Sequence, residues 1–430
     1  MAFAVMSPVV VGAMGMGLDL ASAHLVRERL SSALDAAALA AAGSASDEDV
    51  IRQRVLDFFH ANFPADELGV TFDPQVVVDG DEIFVSGNAY YSTLFLHLIG
   101  IDDIDLAAET VVQRDVQGIE VALVMDNTGS MATNNNIGAL RTAATNFVNI
   151  LYDLAEQDEF IRIGLVPYST SVNVGPYGLG LDHEGAPYGT PFVNNPQDRN
   201  YSPGSNHNWG GCVLAEDHPL DTQDHEGPWD MYRWCRRTSD DFPICDRFWS
   251  SFHGRFLPQR SANNICPRTP IVPLTNDRDL LLDTIGSMQA SGHTLGNFGM
   301  TWGYRVVSPG YPFEEGAEWD SQYWRKAIVM MTDGVNTMHP TYSAYERTSD
   351  HNVRPDDLND RFAEVCDNLK EQDVLIYTIT FTSGVSEATK DFYRDCATSL
   401  DNYHDAPTQD DLIKVFESIS RNLSNLHIRS

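Results

Sequence analysis

The sequence predicts an α/β fold: a mostly parallel sheet covered by helices, preceded by a long apolar helix and a small α+β module, and interrupted by an inserted lobe. Three observations predict it. Continuous apolar runs at Ile119–Met125, Ile161–Tyr168, Lys326–Met331 and Val374–Phe381 alternate with stretches of helical periodicity. Runs of this kind read as strands buried on both faces, and their alternation with helices implies parallel crossovers. Residues Met1–Leu18 carry no charged side chain and run on into the Ala- and Leu-rich stretch Ala21–Ala42. From about Ser169 to Pro270 the rhythm breaks into Gly, Pro, Asn, Asp, Trp and His, with four of the six cysteines.

The first stretch, residues 1–45, reads as one long helix, membrane-inserting first and solvated later. Its charge-free part spans ~27 Å at ~1.5 Å per residue, close to a bilayer core. Gly12, Gly15, Gly17 and Pro8 weaken a helix in water and are tolerated in lipid. The nearest basic residues, Arg27 and Arg29, follow the segment, which by the positive-inside rule opposes export. Ala33, Ala36, Ala37, Ala40 and Ala41 make a small-residue stripe. It suits either a pilin-like partner helix or the chain's own next module. That module, residues 46–117, holds a helix to about Phe63, then β-rich stretches at Val70–Val78, Glu82–Tyr90 and Ile104–Gln113. Asp79-Gly80 signals a hairpin, and Ser92–Ile101 reads as a short apolar helical piece.

Residues 118–430 form the main domain. Helices are expected at Ile137–Gln157, Asp279–Gln289, Asn297–Val307, Leu358–Lys370, Ser386–Thr398 and from Asp410, with a short strand near Tyr403. A structureless loop over about 170–270 is improbable in a compact domain, so the segment reads as a lobe stapled by disulfides. Trp209, Trp229, Trp234 and Trp249 are expected to pack its core, and Trp302 that of the main domain. Cys366 and Cys396 lie on helices either side of Val374–Phe381 that cover one face, so they are expected to pair. Among three connectivities for the other four, the nested order Cys212–Cys266 and Cys235–Cys245 is preferred. No C-x-x-C pair is present, which argues against a zinc ribbon or a thioredoxin-type site. A formal net charge of -33 excludes a phosphate-backbone binder and a partner made of nucleic acid.

The chemistry gathers at the ends of two buried runs. One ends in Asp126 and the other in Asp333-Gly334. In an open parallel sheet ligands bind beyond the carboxyl ends of the strands, so adjacent strands would bring both carboxylates together. Thr128 and Ser130 add hydroxyls two residues apart, and Thr294 in Ser291-Gly292-His293-Thr294 adds another. Two carboxylates and neutral oxygens make a hard donor set of low charge, suited to Mg²⁺ or Mn²⁺, with Ca²⁺ an option. Such an ion keeps its pull on a partner's acidic group. Asp126 is expected at a loop top, outside the core. A second metal site from His207, His218 and His225 with Glu216, Asp217, Asp224 and Glu226 lacks metal-ligand spacing.

Asp126-x-Thr128-x-Ser130 after a buried strand, a later Gly292-x-Thr294, and Thr332-Asp333-Gly334 after another strand resemble the metal-ion-dependent adhesion site of von Willebrand factor A domains. Thr128 stands where many of those domains have Ser. Longer phrases are similar to Tad (tight adherence, Flp) pilus-assembly proteins of the TadG type. They are Val124–Met131, Gly299–Arg305, Ser308-Pro309, Ile271–Thr275 and Leu34–Ala40. That resemblance implies a Rossmann-like von Willebrand A domain behind a pilin-like helix, anchored to the inner membrane with its bulk outside the cytoplasm. It implies a non-enzymatic role in assembling adhesive pili, with pilus components as partners. It also implies basic residues ahead of the apolar segment, which this sequence lacks. Two alternatives stand beside it. A metal-dependent phosphoester hydrolase on the same sheet top needs a second Asp where Thr128 sits, and a serine hydrolase would need G-x-S-x-G. A cytosolic A-domain partner of an ATPase would keep its cysteines reduced.

Overall fold

The computed structural model describes residues 2–42, 48–63, 70–79, 82–113, 118–154, 158–196, 198–203, 208–232, 249–250, 255–256, 263, 265–321, 323–338, 343–345 and 353–428. They divide into two compact units, residues 1–116 and residues 117–429.

In the first unit, helices α1 (Ala2–Ala42) and α2 (Glu48–Asn62) pack on an antiparallel sheet. Strands β1 (Val70–Thr71) and β2 (Gln75–Asp79) both pair with β3 (Glu82–Ser92). Strand β4 (Asp103–Gln113) pairs with β3 from Glu82↔Gln113 to Ser92↔Asp103. Alternate residues Ile83, Val85 and Ala89 of β3 point into the core, as a half-buried strand requires. Opposite them lie Leu30, Ala33, Leu34, Ala37, Ala38 and Ala41 of α1, with Ile51, Val55 and Phe59 of α2. Ala33, Ala37 and Ala41 of the stripe therefore close the unit's own core, the second of the two placements expected, while Ala36 and Ala40 are half-buried. Small side chains are needed there because the helix lies directly on the sheet. Among the described residues no helix is long and apolar enough to cross a membrane. The side chains of residues 1–11 and 13 fall outside that description.

The second unit is built on a six-stranded sheet. Its elements in chain order begin with β5 (Gly118–Asp126), α3 (Asn136–Leu154) and β6 (Ile161–Tyr168). The short strands of the lobe follow: β7 (Val193–Asn194), β8 (Trp229–Asp230), β9 (Trp249–Ser250) and β10 (Arg255–Phe256). Then come β11 (Val272–Thr275), α4 (Arg278–Ser287), α5 (Gly296–Val307), β12 (Trp324–Thr332) and α6 (Pro355–Glu371). The unit closes with β13 (Leu375–Phe381), α7 (Glu387–Cys396), β14 (Tyr403–Ala406) and α8 (Gln409–Ile428). In the six-stranded sheet, of order β11-β6-β5-β12-β13-β14, every pairing is parallel except that of the edge strand β11 with β6.

Strand β5 explains the layering. All its residues are buried, and their period of two sends Val121, Leu123 and Met125 to one face and Ala122 and Val124 to the other. The first face packs on α3, α4 and α8, through Leu140, Phe147, Leu151, Leu281 and Phe416. The second packs on α5 and α6, through Phe298, Trp302, Val306, Phe362 and Val365. Strand β11 was not expected. It is only four residues long and contains Pro273, which an edge strand tolerates because it needs fewer ladder donors.

The lobe's aromatic residues, among them Phe192, Trp209 and Trp229, join the core on the α5 side together with Trp302. Trp234 and the side chain of Trp249 lie outside the described residues. A Cys212–Cys266 disulfide staples the lobe, and a Cys366–Cys396 disulfide ties α6 to the end of α7. Cys235 and Cys245 lie outside the described residues.

Candidate metal centre

Strand order reverses between β5 and β12: the chain builds outward to β6 on one side and to β13 on the other. Loops leaving the two strands diverge to opposite faces, which opens a crevice above their carboxyl ends. Asp126 is the last residue of β5, and Asp333 follows the last residue of β12. Register pairs Met330 with Val124, so the strand ends stand level.

Asp126 is wholly buried, not perched on a loop top as expected. Its Oδ1 accepts the Thr128 N–H at 2.9 Å. Its Oδ2 accepts from the Thr332 hydroxyl at 3.0 Å, the Tyr168 hydroxyl at 3.2 Å and the Asp333 N–H at 3.3 Å. The turn Gly129–Asn135 then carries Ser130 across the crevice. The Ser130 hydroxyl donates to Asp333 Oδ1 at 2.6 Å and lies 2.9 Å from the Thr128 hydroxyl. Side chains from two strand ends 203 residues apart thus meet in one string of oxygens.

Thr294 is brought alongside by its backbone. Loop 291–294 is bonded to the Asp126 loop, with Ser291 N–H on the Asn127 carbonyl at 2.7 Å and Gly129 N–H on the Gly292 carbonyl at 3.0 Å. Thr294 N–H donates to the Thr337 hydroxyl at 3.1 Å, and its carbonyl accepts the Thr337 N–H at 2.7 Å. Gly292 has φ +85°, and a Cβ there would collide with the Thr170 hydroxyl, so only glycine lets the three loops close up. Thr294 itself is buried.

Burial pushes the Asp126 carboxyl above its ordinary range. Burial, and then the neighbouring charge of Asp126, pushes Asp333 up to about 7. No lysine, arginine or histidine among the described residues offsets either group. The Asn127 amide and the Ser169 hydroxyl are buried without a hydrogen-bond partner among the described residues. Orphaned polar atoms beside two uncompensated carboxylates fit a site made for a cation and its ligands. The donors are carboxylate and hydroxyl oxygens, which suits a hard ion. Among the described residues no group of three or more His, Cys, Asp or Glu side chains is placed to hold a metal ion. His218 is engaged with Asp221 and Glu364, and burial pushes His225 down to about 4. His207 lies outside the described residues.

Tyr168, Thr332, Thr337 and Asn127 were missed as contributors. Tyr168 was legible in principle: it ends the second buried run, and the sheet registers it directly opposite Asp126. Thr337 carried no signal, because its role depends on a contact between loops.

The second unit is thus a Rossmann-like α/β unit with an oxygen-lined crevice at its switch point. A family model described as putative Flp pilus-assembly TadE/G-like matches residues 1–44. No curated protein sequence matches the chain. Among solved structures it is similar to the pilus adhesin SpaC from Lactobacillus rhamnosus GG in its open conformation. That match has 12% identity and a TM-score of 0.41, over 84% of this chain and 36% of that one. The chain therefore spans about a third of SpaC's length. It is also similar to the vWF domain of the type V pili tip protein Mfa5 from Porphyromonas gingivalis, with 12% identity and a TM-score of 0.41, over 73% of this chain and 97% of that one. A third similar structure is proximal thread matrix protein 1 from the mussel byssus with a zinc-occupied MIDAS motif. Its identity is 13% and its TM-score 0.34, over 72% of this chain and 46% of that one.

Proposed function

We propose that this chain is a non-enzymatic cell-envelope protein serving the assembly or adhesion of Tad/Flp-type pili. In this reading the second unit is a von Willebrand A domain, and α1 sets its first residues in the inner membrane, with the bulk of the chain outside the cytoplasm. The single observation that carries the reading is the Ser130 hydroxyl joining Thr128 to Asp333 above the switch point. The family model at residues 1–44 supports the pilus context.

Thr128, Ser130, Thr294 and Asp333, with Asp126 behind them, are the residues that would hold a divalent ion, Mg²⁺ or Mn²⁺ before Ca²⁺. When bound, such an ion offers an open position to a partner's carboxylate. Asp126 fixes the loop: three of its four hydrogen bonds come from outside the Asp126–Ser130 segment. Ser130 and Thr128 present lone pairs once their hydroxyl protons turn outward. The hydrolase alternative is weaker, since Thr128 stands where a second Asp is needed and both Asp126 oxygens are already engaged.

Isothermal titration of Mg²⁺ and Mn²⁺ into the full chain tests the assignment. Asp333→Asn is the sharper variant, because Asp126→Ala would also strand four donors, each at a cost of about 1–3 kcal/mol where it stays buried. The expected result is at least a ~100-fold loss of affinity, on the scale that metal-site changes reach. Unchanged affinity in Asp333→Asn would remove the metal site and, with it, the acidic ligand.

A further inference from the structure

We propose that the turn Leu94–Ile101 and the adjoining surface of α1 form an apolar collar that docks into the lipid interface where α1 leaves the bilayer. The inference rests on the reading of α1 as membrane-inserted and adds to it a second contact, made by the folded module.

The turn is unusually apolar for a surface loop: Leu94, Phe95, Leu96, Leu98, Ile99 and Ile101 fall within eight residues. Only Leu96 is buried, while Leu94, Leu98 and Ile99 are 73%, 79% and 62% exposed. The turn is also closed by hydrogen bonds at its base. Thr93 N–H reaches the Asp102 carbonyl at 2.8 Å and its hydroxyl the Ile101 carbonyl at 2.5 Å. Gly100 closes it in the left-handed region at φ 88°. A preordered turn that presents large side chains to the outside marks an interaction surface.

Asp19 fixes where that surface sits. It is the first charged residue of α1, yet it is buried. Its carboxylate accepts the N–H groups of Leu94, Phe95 and Leu96 at 3.0, 2.7 and 2.7 Å. One turn earlier, Gly15 is packed against the Phe95 ring. The turn is therefore clamped to α1 at the level where the charge-free run Met1–Leu18 ends. The clamp also hides the charge that would otherwise mark that level.

Geometry favours lipid over a protein partner. At ~100° per residue, Gly15 and Asp19 share one side of α1, and the exposed Met14, Leu18, Met16 and Leu20 flank it on both sides. With the turn filling the remaining side, apolar groups face outward all around the axis. A protein partner covers one face, whereas lipid surrounds. Within the turn the one ionisable side chain is His97, and it is paired with Asp102 at the turn's edge. Further charge begins at Asp103 on the module and at His24, Arg27, Glu28 and Arg29 on the helix. A net charge of -33 directs the choice to zwitterionic rather than anionic lipid.

The test places a cysteine-specific bimane on full-length chain carrying Leu98→Cys, Ile99→Cys, Val9→Cys or Val77→Cys, with the unsubstituted chain as blank. Each is reconstituted into phosphatidylcholine vesicles containing a shallow nitroxide lipid. Val9 reports insertion of α1 and Val77, an exposed sheet residue, reports water. Quenching at Leu98 and Ile99 several-fold above that at Val77, together with quenching at Val9, is the expected result. Quenching at Val9 with Leu98 and Ile99 no different from Val77 would overturn the collar and leave membrane insertion standing. Loss of quenching at all three would overturn both. A blue shift at Leu98 without lipid quenching would assign the surface to another protein and equally overturn the proposal.

Discussion

The two ends of strands β5 and β12 carry buried acids in opposite circumstances. At the amino end Glu120 is wholly buried, 2.5 Å from Lys326 and 2.9 Å from Arg162, and it also accepts the Ala317 N–H. At the carboxyl end Asp126 and Asp333 are brought together with hydroxyls and no basic side chain among the described residues. The same sheet thus supplies the countercharge at one end and leaves it to be supplied at the other. A buried acid with its own cation is part of the scaffold. The wholly buried Asp126 beside the half-buried Asp333, with no cation of their own, fits a site, because only a proton or an outside cation relieves such a pair.

The largest effect should come from breaking the closed end. Lys326→Met leaves Glu120 buried with only Arg162 and should destabilise the second unit by about 3–5 kcal/mol. Urea unfolding checks this, and metal affinity of the folded protein should not move. A loss under about 1 kcal/mol would erase the distinction between the ends.

Next comes the pH response of the open end. Asp333 is raised by burial and by Asp126, so without metal the folded state holds its proton more tightly than the unfolded state. The resulting stability is fully present below the unfolded carboxyl value near 4 and is lost as pH rises to about 7. In EDTA, thermal unfolding of this unit should therefore favour pH 5 over pH 7.5 once other groups are matched with Asp333→Asn. Added Mg²⁺ should stabilise more at pH 7.5 than at pH 5, because at pH 5 it must displace a proton. Equal Mg²⁺ stabilisation at both values would mean that Asp333 is not the group engaged.

The smallest effect sharpens the comparison. Tyr168→Phe removes a hydroxyl bonded to Asp126 at 3.2 Å and to the Met331 carbonyl at 3.0 Å. About 1 kcal/mol of stability should go, with a change in Mg²⁺ affinity below about tenfold. A larger affinity change would make Tyr168 a determinant of the site rather than a support for Asp126.

Much of this molecule is set by local pattern. The uninterrupted apolar runs determined four central strands, since a strand covered on both faces has no polar position to spare. Asp126, Thr128, Ser130 and Asp333 were legible because each follows directly from the end of such a run. What lies between strands was decided by tertiary contact. Strand β11 exists because β6 offers it an edge, although four residues with a proline carry little strand signal alone. The alanine stripe of α1 is compatible with any close neighbour, and only the folded module shows that its own sheet takes that place. Asp19 follows a charge-free run in the sequence, yet it accepts three backbone donors from residues more than 70 positions away and is buried. Periodicity encodes which face of an element is apolar; it does not encode which neighbour will cover that face, because burial is non-directional and the choice belongs to the whole chain.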